Sequence, residues 1–330
     1  MDDVAEKSIA HTDLLDDPRI SPLLFETITR QSWEISTLKN SSVIKYLENM
    51  PQKSFELKKQ IEHQYPDYPT ERTEVMLDLI YGFTRLKPNT LEAQRIYDDY
   101  EKEVSARIQH NLVHQIYCAS QPGADERYVR AIWNITHNIS RLAEKMEQVK
   151  VSNFSKLWCG VKNELAIIRA LKSAHYRVFL PDYAQDVIED KDDEVLQLDI
   201  RNGIDMIVVS PDGRYIFLVD AKGKAGVDGV IFKDYQGVNI SSQTHPCVKE
   251  TIRQARVLTD SEKITRGIFK TKIIIPPSPK TIMGYGSHDI RSFQEELGEI
   301  GSLHDFFKSD IISQLRALPT KNDLPFTDLR

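Results

Sequence analysis

The stretch that most restricts the fold is "GIDMIVVSPDGRYIFLVDAK", residues 203–222. Two apolar runs flank a Pro-Asp-Gly turn. Pro211 presets φ for the first corner of a turn and Gly213 accepts the positive φ of a later one. The pattern predicts an antiparallel hairpin that is buried, because neither run alternates with polar residues. A buried hairpin rarely carries charge without a reason, yet Asp205 interrupts the first run and Asp220-Ala221-Lys222 ends the second.

Counted from the turn, Asp205 lies six residues before Pro211 and Asp220 lies seven after Gly213. In an antiparallel pair these positions are close to opposite, so the two carboxylates can face each other. Carboxylates that close repel, and a divalent cation removes the conflict. Mg²⁺ takes one or two carboxylates and keeps positions for water and phosphate oxygens. Lys222 follows Asp220 by two, so it projects from the same strand face. There an ammonium can orient or help deprotonate an attacking water, or stabilise charge at phosphorus.

Around the hairpin the pattern is mixed α/β. "KLWCGVKNELAIIRALKSAH" has helical periodicity and carries Glu164, which could approach the acid pair as a further metal ligand or an orienter of water. "YRVFLP" reads as a short strand, and residues 182–197 as an acidic loop. A glycine-containing loop is expected to run from the hairpin to about residue 247. "VKETIRQARVLT" then reads as a helix and "KTKIIIPP" as a strand. The predicted order is helix, three strands, helix, strand.

The first 150 residues read as helices. Asn89 and Glu92 stand at capping-box spacing, and Ile96, Tyr100, Val104, Ile108, Leu112 and Ile116 recur every four positions. Tyr128, Ile132, Ile135, Ile139, Leu142, Met146 and Val149 form a narrower seam of alternating steps of four and three, suited to packing against another helix. A helical hairpin within the chain is favoured over dimerisation through this seam. Nothing in this half has catalytic spacing. The expected boundary gives an all-α domain over 1–152 and an α/β domain over 153–330.

Glu164 on a helix, Gly203-Ile204-Asp205 and Asp220-Ala221-Lys222 together resemble the PD-(D/E)xK, or restriction-endonuclease-like, nuclease superfamily, and the element order is similar to its αβββαβ core. The resemblance covers about residues 155–280. It implies Asp205 and Asp220 as metal-binding acids, Glu164 as the helix acid, the Ala221 backbone carbonyl as a further ligand and Lys222 as the catalytic lysine. Gln254 resembles a glutamine on the following helix in some branches, although Leu258 stands where a tyrosine often accompanies it. Ile204 replaces the proline of the first motif. The implied activity is Mg²⁺-dependent phosphodiester hydrolysis, with Mn²⁺ substituting and DNA favoured over RNA. The implied partners are nucleic acid and, through the helical half, a second copy or another protein. The alternative is a catalytically inactive nuclease-like fold that binds nucleic acid or protein.

Simpler readings compete at each residue. Asp205 and Lys222 could form a structural ion pair. His110 and His114, at i and i+4, read as helix-packing residues, and Trp33, Trp133 and Trp158 as core or interface. His245 beside Cys247 has no partner acid at a readable spacing. Cys118, Cys159 and Cys247 are odd in number and far apart, which argues against a disulfide framework and for a reducing, cytoplasmic compartment, although a protein delivered into another cell would look the same. The opening residues are acidic and read as no secretory signal, and no apolar run is long enough to span a membrane. The net charge of −6 disfavours bulk attraction to nucleic acid but leaves room for a local basic groove.

Overall fold

In the computed structural model, residues 17–85, 99–179, 203–224, 227–234, 267–276 and 289–321 are described. Six helices come first: α1 (Ser21–Thr37), α2 (Val43–Gln64), α3 (Thr70–Arg85), α4 (Asp99–Ala119), α5 (Glu126–Gln148) and α6 (Ser152–Ser173). Five strands follow: β1 (Arg177–Phe179), β2 (Met206–Val209), β3 (Tyr215–Gly223), β4 (Ile231–Asp234) and β5 (Gly267–Ile275). Two helices close the described chain, α7 (Ile290–Glu299) and α8 (Asp305–Lys321). The architecture is mixed α/β, as expected.

The predicted seam is the spine of the helical part. Asp125 caps α5 by accepting from the Arg127 and Tyr128 backbone N–H groups at 2.8 and 3.2 Å, which satisfies two donors that a helix start otherwise leaves bare. From Tyr128 to Met146 every seam residue is buried, and α5 packs on α1, α4, α6 and α7. Buried polar contacts fix the helices in register. Ser32 Oγ donates to Asn138 Oδ1 at 2.6 Å, and Tyr128 Oη donates to Gln115 Oε1 at 2.6 Å. The four-residue stripe on α4 is buried at Ile108, Leu112 and Ile116. Its proposed start at Asn89 and Glu92 lies outside the described residues.

The sheet has the order β1-β2-β3-β5-β4. The hairpin forms as the turn chemistry predicts: Gly213 has φ 70°, its N–H donates to the Ser210 carbonyl at 2.9 Å, and Ser210 N–H donates to the Tyr215 carbonyl at 2.9 Å. β1 and β3 pair antiparallel with β2, and β5 pairs parallel with β3. β4, Ile231–Asp234, pairs antiparallel with β5 at the sheet edge, inside the region expected to be loop. Four residues with one clear apolar pair carry no readable alternation, and the strand exists because β5 offers it an edge.

Strand alternation divides the sheet into two faces. Met206, Val208, Phe217, Val219, Ala221, Ile273 and Ile275 belong to the main apolar core, as do Leu165, Ile168 and Leu171 of α6. Ile207, Ile216, Leu218 and Ile274 are buried on the opposite face.

The expected boundary at 152/153 falls at the first residue of α6, and one apolar core crosses it, from Ile20 to Leu318 among the described residues. α6 packs on α4 and α5 as well as on β3. α7 returns to α5, where Trp133 Nε1 donates to Glu296 Oε2 at 2.7 Å and its ring lies 4.5 Å from that of Phe293. α8 packs on α6 and β5. Trp133 and Trp158 are buried as expected, whereas Trp33 is 68 % exposed and so is no core residue. Among the described residues no helix is long and apolar enough to cross a membrane.

Candidate functional site

The paired β2–β3 register ends with Met206 opposite Val219, and Asp205 and Asp220 are the residues just beyond that last pair. Both acids are buried, at 1 % and 4 % exposure. Asp205 is tied to the neighbouring strand twice. Its backbone N–H donates to the Val219 carbonyl at 2.8 Å, and its Oδ2 accepts from the Ala221 N–H at 2.6 Å. The side chain thus takes a place in the ladder that a carbonyl would otherwise fill. A charge-assisted bond of this kind offsets part of the cost of burying a carboxylate.

Two lysines supply the rest. Lys222 Nζ lies 2.9 Å from Asp220 Oδ1 and 3.7 Å from Asp205 Oδ2. Lys272 Nζ lies 2.8 Å from Asp220 Oδ2. The ion pair weighed from sequence therefore exists, but Lys222 sits nearer Asp220 than Asp205. Lys272 was not foreseen. It arrives because parallel pairing places it beside Asp220, and no count along the chain reveals a pairing across the segment between β3 and β5. Two ammonium groups thus face these two carboxylates. Lys222 is half exposed and Lys272 a quarter exposed, so the cluster has a buried acidic floor and a solvated basic rim.

More positive charge shares this face. Lys233 of β4 pairs across from Lys272, and Lys270 lies two residues before it on β5. By alternation Lys222, Lys233, Lys270 and Lys272 all project from the sheet face opposite Phe217 and Val219. A chain with an acidic net charge thus keeps a row of four lysines beside one acid pair.

The expected residues do not all meet. Asp205, Asp220, Ala221 and Lys222 come together at the end of the hairpin. Glu164 is buried on α6, but its described contacts run to α4: Gln109 Nε2 donates to Glu164 Oε1, and His110 Nδ1 lies 3.9 Å from Glu164 Oε2. The neighbouring residue reaches the strand instead. The Asn163 amide lies against Gly223, where any Cβ would overlap it, so glycine at the strand end lets α6 approach. Gln254, His245 and Cys247 lie outside the described residues. His110 and His114 are both buried in the helix packing.

Among the described residues no three His, Cys, Asp or Glu side chains gather closely enough to hold a metal ion. The pair Asp205 and Asp220 offers oxygen donors only, the set that suits Mg²⁺ or Mn²⁺ rather than Zn²⁺. Two ammonium groups within 3 Å of one carboxylate show that the position attracts cations. The residues present fit a hard divalent ion with few protein ligands.

No protein-family model matches this chain, and no curated protein or solved structure does.

Proposed function

We propose that the chain is a metal-dependent nuclease that hydrolyses phosphodiester bonds, DNA ahead of RNA, on a restriction-endonuclease-like core. The observation that carries this reading is the gathering of two buried carboxylates, Asp205 and Asp220, around one lysine, Lys222. The row of lysines on the same face supports a polyanionic substrate, since clustered amines attract phosphates whatever the net charge of the chain.

Asp205 and Asp220 would hold the ion, with the Ala221 carbonyl as the further ligand that the resemblance implies. A bound divalent ion makes water a better nucleophile and offsets charge at phosphorus. The chain's own groups do the remaining work. Ala221 N–H fixes the Asp205 carboxylate, and the rigid β3 strand sets Asp220 and Lys222 at a constant separation. Lys222, within reach of both carboxylates, orients the attacking water and stabilises negative charge on the phosphoryl oxygens. Glu164, held by Gln109, ties the helical layer to the same helix that packs on β3.

The contact of two lysines with Asp220 favours one other reading, a nuclease-like fold that binds nucleic acid or protein without cutting. A cleavage panel separates the two: linear, circular, single-stranded and branched DNA together with RNA, each with Mg²⁺ or Mn²⁺. Metal-dependent cutting of any substrate supports the nuclease. Retained binding with no cutting by either ion supports the module and refutes the enzyme.

A further inference from the structure

Both oxygens of Asp220 carry an ammonium, Lys222 at 2.9 Å on Oδ1 and Lys272 at 2.8 Å on Oδ2. A divalent ion shared by Asp205 and Asp220 would meet an ammonium close to either oxygen of Asp220. Lys222 also reaches Asp205, so it keeps a carboxylate partner when it leaves Asp220. Lys272 reaches Asp220 from the other neighbouring strand, β5. Directly across from it on β4 is Lys233, and like charges opposite each other in a sheet repel. Asp220 is a counter-charge to the ammonium at this position.

We propose that Lys272 is a resident competitor for the divalent cation. Its ammonium neutralises Asp220 in the cation-free protein and swings off when the ion binds, toward the solvated rim where a substrate phosphate would lie. A lysine suits this task because its charge is a point on a flexible stem and a quarter of its side chain is already exposed. The consequence is a cation affinity held below what the acid pair alone would give. The inference rests on the reading of Asp205 and Asp220 as a metal site.

The test is calorimetric titration of Mg²⁺ and Mn²⁺ into the full chain, without nucleic acid, for wild type, Lys272→Gln, Lys272→Arg and Asp220→Asn. Lys272→Gln should bind at least about fivefold more tightly, the scale of one partly exposed ion pair. Lys272→Arg should stay near wild type, and Asp220→Asn should lose binding. In the wild type itself, the Lys272 side-chain NMR signals should shift as Mg²⁺ is added, a readout that needs no variant to fold. Wild-type binding that depends on Asp220, with Lys272→Gln equal or weaker and Lys272 signals unmoved, overturns the competitor and leaves the metal site standing. No binding in either wild type or Lys272→Gln overturns both. Binding in Lys272→Gln alone supports the competitor in its strongest form.

Discussion

Removing Lys272 should destabilise the cation-free protein more than removing the charge of its partner Asp220. Asp220 is 4 % exposed, whereas the Lys272 side chain is 25 % exposed and that of Lys222 is 49 % exposed. Lys272→Met leaves a buried carboxylate with Lys222 on one oxygen and nothing from Lys272 on the other. Losing one member of a fully buried pair costs about 3–5 kcal/mol, and the surviving Lys222 contact reduces that to about 2–3 kcal/mol. Asp220→Asn keeps the shape and leaves two amines that can turn into water, at about 1 kcal/mol. The double variant Asp220→Asn/Lys272→Met should be less destabilised than the sum, because the buried charge and its partner leave together. Urea unfolding in excess chelator, followed by circular dichroism, measures all four proteins. Equal costs for the two single variants, or additivity in the double variant, would refute a buried-acid, solvated-amine cluster.

Two further outcomes follow from the helical part and its junctions. Burial, with Arg141 nearby, pushes His137 down to about 4, and its ring stacks on Trp133 at 5.0 Å. The unfolded chain binds this proton near pH 6.5 and the folded one does not, so stability is complete above about 6.5 and falls as the pH drops toward 4, by about 1–2 kcal/mol after screening; His137→Phe should flatten that part of the profile. Lys150 and His175 close α5 and α6 in the left-handed region, at φ 58° and 62°, so replacing either by glycine should raise the unfolding free energy measured in urea by about 0.5–1 kcal/mol, and a fall would show that their side chains matter more than their backbone.

The hairpin was legible because its information is local. A Pro-Asp-Gly turn sets the register, so counting from it places Asp205 and Asp220 at the same end of the hairpin, just beyond the last pair, Met206 and Val219. The seam on α5 was legible because burial follows the helical period. Lys272 was hidden, since parallel pairing between β3 and β5 has no turn from which to count. Glu164 was assigned to its helix correctly, but periodicity does not say which neighbour a buried polar side chain will meet, and Gln109 of α4 met it. Trp33 reads as core or interface on residue type alone, and its exposure on α1 excludes only the core. The helices α7 and α8 lie beyond the expected αβββαβ core, and Asp289 caps α7 by accepting from the Ser292 N–H.

The central claim is that Asp205 and Asp220 hold a divalent ion that supports phosphodiester cleavage. A single-turnover assay on an end-labelled DNA with Mg²⁺ or Mn²⁺, comparing wild type with Asp205→Asn and Asp220→Asn of matched circular dichroism, tests it most directly. The account predicts cleavage that excess chelator abolishes and that each substitution slows by at least about a hundredfold, the scale of losing a preorganised charged group at a reacting centre. Cleavage unchanged by Asp220→Asn, or undiminished by chelator, would contradict it.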